Sequence, residues 1–196
     1  MYFTRVSTQK WCFMLKIKGF KKTYKEAVIT VDGVDTQARV VLLVGENGSG
    51  KSTILKAMAG LIRFDGEIEF KGSFMYAEEL INYPEYLTAR QYLTLLRRLG
   101  NASKIRLQWL IDAFMLKTHL DKPFKALSKG MKQKIHLIQA MMEIRDFYLL
   151  DEPLSGLDET AQQQLVKLIA KSDEAFVIAT HQTDVFDVLG AKKVAL

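Results

Sequence analysis

A single cysteine, Cys12, excludes an intrachain disulfide and points to a reducing compartment. Prolines number only 3, and 48% of the 196 residues are apolar, which excludes a disordered chain and leaves enough apolar mass for one full core. No apolar run approaches the roughly 18 residues of a membrane span. The densest, residues 40–44, has the length of a strand. Residues 1–14 carry Arg5 and Lys10 but neither a continuous apolar stretch nor a small-residue cleavage site, so no secretory signal is read there. Internal repeats, low-complexity tracts and Gly/Ser linkers are missing too. The expectation is one compact unit, 1–196, folding in the cytosol.

What is present is unevenly charged. The net charge is +6, and the first 25 residues hold Arg5, Lys10, Lys16, Lys18, Lys21, Lys22 and Lys25 with no acid. That basic edge reads either as a solvated surface or as an attraction to anionic lipid or nucleic acid.

Residues 39–44 read as a buried strand ending in Gly, and 51–62 as a helix with Ile54, Leu55, Met58 and Ile62 at helical spacing. Asp65-Gly66 predicts a turn into a strand over 67–70, with a further extended piece at 74–76. From 88 to 142 the pattern is helical. One apolar face carries Tyr92, Leu95, Leu96 and Leu99, and another Leu107, Leu110, Ile111, Phe114 and Met115. Strand 147–150, helix 159–171, strand 175–179 and a short helix near 183–189 follow. This predicts an α/β fold: a mostly parallel sheet with helices on both faces, an N-terminal antiparallel β portion and an all-helical insert. The core is expected over 14–77 and 146–196, the insert over about 78–145.

Gly45-Glu46-Asn47-Gly48-Ser49-Gly50-Lys51-Ser52, followed by Thr53, fits the phosphate loop G-x-x-x-x-G-K-[ST], and it stands between a predicted strand and a predicted helix. Glycines let successive N–H groups turn inward around a polyphosphate, and the helix start offers its positive dipole end to the same anion. Lys51 would reach the β- and γ-phosphates of a nucleotide, and the Ser52 hydroxyl would ligate Mg²⁺. Downstream, the apolar run 147–150 delivers Asp151 and Glu152 to a strand end that a parallel sheet sets beside such a loop. Adjacent residues of a strand point apart, so Asp151 would hold Mg²⁺ while Glu152 faces the attacking water as general base.

Leu127-Ser128-Lys129-Gly130-Met131 precedes a helical run and by itself reads as a helix cap. Taken alone, His181 is an ordinary polar residue after a strand. Ser128 and Gly130, then Asp151-Glu152-Pro153, then Ser155-Gly156-Leu157-Asp158, then His181 form an ordered series. In that order the chain resembles the ATP-binding cassette (ABC) ATPases from Phe20 to His181. GENGSGKST is similar to their Walker A, LSKGM to their signature, FYLLDEP to their Walker B and SGLD to their D-loop, with His181 as the switch histidine.

The resemblance implies a P-loop NTPase core of the RecA type, with ATP and Mg²⁺. It also implies two cassettes docked head to tail, Ser128 and the N–H groups around Gly130 reaching the γ-phosphate held by the other chain. His181 would contact that phosphate from its own side, and Asp158 would couple the two sites. An aromatic upstream of Walker A, Tyr24 or Phe20, would stack on adenine. Two positions depart from the family. The signature has Lys129 and Met131, a form similar to single-cassette exporters of the ABC-2 type. The usual glutamine before the insert is replaced by Glu78, or alternatively Glu79, as acceptor for Mg²⁺-bound water. The implied function is the ATP-hydrolysing subunit of a transporter, peripheral on the cytoplasmic face and acting through a separate membrane protein, with export favoured and no direct nucleic-acid partner. A non-transport ABC ATPase acting on nucleic acid or ribosomes is the alternative. A small P-loop kinase fits poorly, because Arg97, Arg98 and Arg106 are scattered along helices instead of forming a lid.

Overall fold

The computed structural model describes residues 13–25, 27–79 and 82–196. Arg5, Lys10 and Cys12 lie outside the described residues. Four strands open the chain, β1 (Leu15–Thr23), β2 (Val28–Val31), β3 (Val34–Thr36) and β4 (Val40–Val44), followed by helix α1 (Lys51–Met58) and strands β5 (Asp65–Glu69) and β6 (Phe74–Ala77). Helices α2 (Ala89–Leu99), α3 (Lys104–Ala113) and α4 (Lys129–Met141) come next. Then follow β7 (Phe147–Asp151), α5 (Glu159–Lys171), β8 (Ala175–Thr180), a 3₁₀ turn (Asp184–Leu189) and β9 (Lys192–Ala195). No described helix is long and apolar enough to cross a membrane.

Five strands form a parallel sheet in the order β6-β7-β8-β4-β9. Its central strands are buried on both faces, which explains their unbroken apolar runs. Alternate residues serve different cores. Leu42, Tyr148, Leu150, Phe176 and Ile178 join α2, α3, α4 and α5, while Val41, Leu43, Phe147, Leu149 and Val177 join α1 and the antiparallel strands. Strand β9 has no counterpart in the sequence reading; Lys192 and Lys193 on a short edge strand give it no apolar run.

In the antiparallel sheet β1 pairs with β2, β3 and β5. Lys16, Lys18 and Lys21 stand opposite Glu69, Glu67 and Asp65 of β5, so much of the basic edge is matched by cross-strand carboxylates. The expected turn at Asp65-Gly66 is corrected: both residues belong to β5. Gly66 has φ 97° where the register shifts, and a Cβ there would stand 2.3 Å from the Gly19 carbonyl oxygen. The glycine permits a close strand approach, not a hairpin.

Helix α1 stops at Met58, short of residue 62. Gly60 (φ 71°) donates to the Ala57 carbonyl and Leu61 to that of Lys56, the paired closure of a left-handed C-terminus. The stripe expected on α2 is rotated. Ala89 and Leu93 are buried with Tyr92 and Leu96 against them, whereas Leu95 is exposed and Leu99 is 75% exposed. The cause is α4, whose Gln139 accepts from the Tyr92 hydroxyl at 2.9 Å, and Phe124, which meets the Tyr92 ring edge-on. On α3, Leu107, Leu110, Ile111 and Phe114 are buried as expected; Met115 is exposed, because the chain turns there at φ 54°.

Candidate functional site

Strand β4 ends between β8 and β9, and the loop after it bends back over the sheet's C-terminal edge. Gly48 (φ 86°) and Gly50 (φ 105°) adopt backbone closed to other residues. At Gly50 a Cβ would also strike Ile29 at 2.4 Å. The first N–H groups of α1 receive no side-chain cap. Lys51 is buried, its Nζ donating to the carbonyls of Gly45 (2.7 Å) and Glu46 (2.9 Å), so the cation lies curled inside its own loop. Gly48, Gly50, Lys51, Ser52, Thr53 and Glu152 contribute to the lining of a cleft of about 400 Å³.

The carboxylates converge on the same place from β7. Asp151 is the last strand residue and accepts from the Ser52 hydroxyl at 3.0 Å. Burial, chiefly, raises its pKa above the ordinary value; the Ser52 bond opposes this, and Glu79 and Glu152 add to it. Glu152 lies beyond the strand end with φ 44°, anchored by its N–H to the Ala179 carbonyl. The two carboxylates therefore diverge through this left-handed residue, and not through strand alternation as the sequence reading had it. Glu152 Oε2 accepts from His181 Nδ1 at 3.0 Å and Oε1 lies 3.8 Å from Lys51 Nζ. Oε1 itself is buried with no hydrogen-bond partner among the described residues, as is Ser49 Oγ.

Upstream, the structure separates the two aromatics. Phe20 is 1% exposed and packed on Phe64 at 5.1 Å, so no face is left for adenine; that candidate is corrected. Tyr24 is 45% exposed and lines the cleft with Ala27 and Ile29, its hydroxyl 3.5 Å from Thr53 Oγ1. It also separates the two acids after β6. Both acids are exposed, and of the two Glu79 lines the cleft. The cleft lining favours the alternative acid, Glu79, over the preferred Glu78; β6 ends at Ala77, and the Glu79 charge helps raise the pKa of Asp151.

Ser128, Gly130 and Asp158 do not line this cleft. Ser128 caps α4, accepting from the Met131 N–H at 3.2 Å, and Asp158 caps α5, accepting from the Ala161 N–H at 2.8 Å and from Lys134 at 2.9 Å. Gly130 has a steric reason to be glycine, since a Cβ there would sit 2.5 Å from the Gly156 carbonyl oxygen. The start of α4 and the loop carrying Asp158 therefore form one surface, tied to the catalytic side by Gln133, which donates to the Pro153 carbonyl. Ile29 was not singled out by sequence reasoning, and Gly156 was read only as part of the SGLD motif. Ile29 carries no motif, and Gly156 becomes meaningful only once Gly130 is seen against it.

The residues present fit a nucleoside triphosphate with Mg²⁺. Ser52 Oγ and Asp151 Oδ1 are adjacent hard oxygens, the cleft wall holds the unpartnered Glu152 Oε1, and the start of α1 has no side-chain cap.

Residues 35–155 match the sequence model of the ABC transporter family. An uncharacterized ABC transporter ATP-binding protein of Bacillus subtilis, YxlF, is 34% identical over 86% of this chain and 62% of its own. The cytochrome c biogenesis ATP-binding export protein CcmA of Novosphingobium aromaticivorans is 32% identical over 73% of this chain and 74% of its own. A solved dimeric bacterial ABC transporter cassette superposes with TM-score 0.75 at 24% identity, covering 93% of this chain and 94% of that one. The chain spans 56–66% of the length of the first curated relatives it matches.

Proposed function

The chain belongs to the ABC transporter family, and from that premise we propose that it binds ATP in the cleft over its phosphate loop, hydrolyses it, and powers export through a separate membrane subunit. The observation that carries the reading is the Glu152 carboxylate, fixed on one oxygen by His181 and left with the other free beside Lys51. Tyr24 would stack on adenine. Lys51, released from the Gly45 and Glu46 carbonyls, would meet the terminal phosphates together with the N–H groups of the loop. Ser52 and Asp151 would hold Mg²⁺, which supplies charge neutralisation on the phosphates. Glu79, at the cleft wall, would accept from Mg²⁺-bound water. Glu152 Oε1 takes the proton of the attacking water, and the His181 Nδ1–H keeps Oε2 turned away from it.

The uncovered start of α4 supports a second half of the site in another cassette, docked head to tail, with Ser128 and the N–H groups around Gly130 turned to the partner's γ-phosphate. Asp158, beside the same surface, is placed to link the two sites. The named export role of the CcmA relative and the Lys129/Met131 signature favour export. We place the protein on the cytoplasmic face of a membrane, without direct nucleic-acid contact, since Glu69, Glu67 and Asp65 offset the lysines of β1. Phosphate release from ATP by the purified chain, dependent on Mg²⁺, tests the reading. Lys51→Ala should weaken equilibrium ATP binding about a hundredfold, the scale of one lost charge-assisted contact; unchanged affinity would contradict the phosphate role of the loop.

A further inference from the structure

His136 stands on the buried side of α4 at 5% exposure, beyond the motif that opens the helix. Its Nε2 lies 2.8 Å from the Glu78 carbonyl oxygen. A carbonyl cannot donate, so the ring proton is on Nε2. Burial, the main influence, holds the pKa of the ring below its ordinary value, so the ring is neutral at pH 7 and Nδ1 carries a lone pair. That atom is buried without a hydrogen-bond partner among the described residues. An aliphatic side chain would fill the same space without an orphaned nitrogen, so packing alone does not account for a histidine. What the histidine adds is one bond to the backbone immediately before Glu79, and Glu79 is the acid that reaches the cleft.

We propose that His136 is a positioning residue: by holding the Glu78 carbonyl, it sets where the Glu79 carboxylate stands in the nucleotide cleft and ties that position to the helix that begins at Ser128. The inference rests on the ATPase reading above. It concerns the Glu78 backbone carbonyl; the Glu78 side-chain charge only opposes the effect of burial on the His136 ring.

Two variants and one spectrum test it. His136→Met keeps the volume and loses the donor; His136→Gln returns an N–H donor close to the position of Nε2. His136→Met should fold with no loss of Tm and lower the kcat of ATP hydrolysis by about two- to tenfold, the range of one neutral hydrogen bond, with a smaller change in KM. His136→Gln should recover most of the loss. In a Glu79→Ala background His136→Met should have no further effect. In nucleotide-free protein, ¹⁵N NMR should show His136 neutral and protonated on Nε2. A wild-type kcat in His136→Met, an undiminished effect in the Glu79→Ala background, or a proton on Nδ1 would each overturn the proposal. Failure of the underlying function reads differently: the wild-type chain itself would release no phosphate from Mg²⁺-ATP.

Discussion

Asp151 and Asp158 differ in what the folded chain does for them. Asp151 is buried beside Glu79 and Glu152, and burial pushes its pKa up. Asp158 is exposed, and the Lys134 ammonium, then the Ala161 N–H, hold its pKa down. The contrast extends to their surroundings. On the Asp151 side, Glu152 Oε1 and Ser49 Oγ have no hydrogen-bond partner among the described residues; on the other side, Ser128 and Asp158 each close a helix cap within the chain. The loop side carries unpartnered polar atoms, while α4 and α5 each begin on a closed side-chain cap. A site divided between two copies would look like this in one of them: electrostatic frustration where the ligand is gripped, ordinary stability where it is only touched.

The strongest way to break that comparison is Glu152→Gln. It removes the base and leaves Lys51 and the loop amides in place, so ATP hydrolysis should fall by roughly 10²–10⁴-fold while ATP affinity is kept. Sizing in Mg²⁺ and ATP should then show a dimer stabilised by trapped nucleotide. A monomer at high concentration would oppose the shared site for a homodimer.

Ser128→Arg probes the other side. The larger, charged side chain overfills the surface at the start of α4 without touching the chain's own cleft, so activity should drop about a hundredfold or more with monomer ATP binding unchanged. Loss of binding as well would mean that the site is not divided. Mixing with Lys51→Ala chains should restore at most one composite site per dimer, and activity above that level would count against head-to-tail docking.

How much of this was legible beforehand follows from the same contrast. The phosphate loop and the two carboxylates are written in residue types that chemistry restricts, and glycines with positive φ, a buried lysine and a strand-end acid are where the sequence put them. Ser128 reads as a cap because it is one; only the family resemblance lends it a second meaning. Elsewhere tertiary contacts decided. The apolar stripe of α2 was rotated by α4 and Phe124, Gly66 served a close strand approach, and which of Glu78 and Glu79 lines the cleft depended on where β6 ends. His136 carries no motif at all. Its meaning lies in a backbone carbonyl distant in sequence, which no local pattern encodes.

A smaller effect separates the two aromatics upstream of the loop. Tyr24→Ala should weaken ATP binding about tenfold, within the range of a base–aromatic stack, and leave stability nearly unchanged because the ring is half exposed. Phe20→Ala should cost about 3–5 kcal/mol of stability through the cavity beside Phe64, with nucleotide affinity kept in whatever fraction folds. Denaturant melts and equilibrium ATP titrations on both variants decide it. The reverse pattern would return Phe20 to the adenine site.

The smallest expected effect is on stability and has opposite signs in the two regions. The folded-state pKa of Asp151 is raised above the unfolded value, so its contribution to stability is fully present below the unfolded pKa and is lost as pH rises through the folded one. At pH 7 the buried charge is therefore a burden on the nucleotide-free protein. Asp151→Asn should lift it, and Tm should rise by roughly 2–4 °C for each kcal/mol recovered, while Mg²⁺-dependent hydrolysis is lost. The gain should shrink as pH falls toward the range where Asp151 protonates in the wild type. Ser128→Ala deletes a satisfied cap, so it should lower stability by about 1 kcal/mol. Thermal melts of both variants without nucleotide, at pH 7 and at pH 5, are the measurement. If Asp151→Asn lowers Tm at pH 7, the carboxylate is stabilised by its surroundings, and the phosphate side is not strained in the way its burial implies.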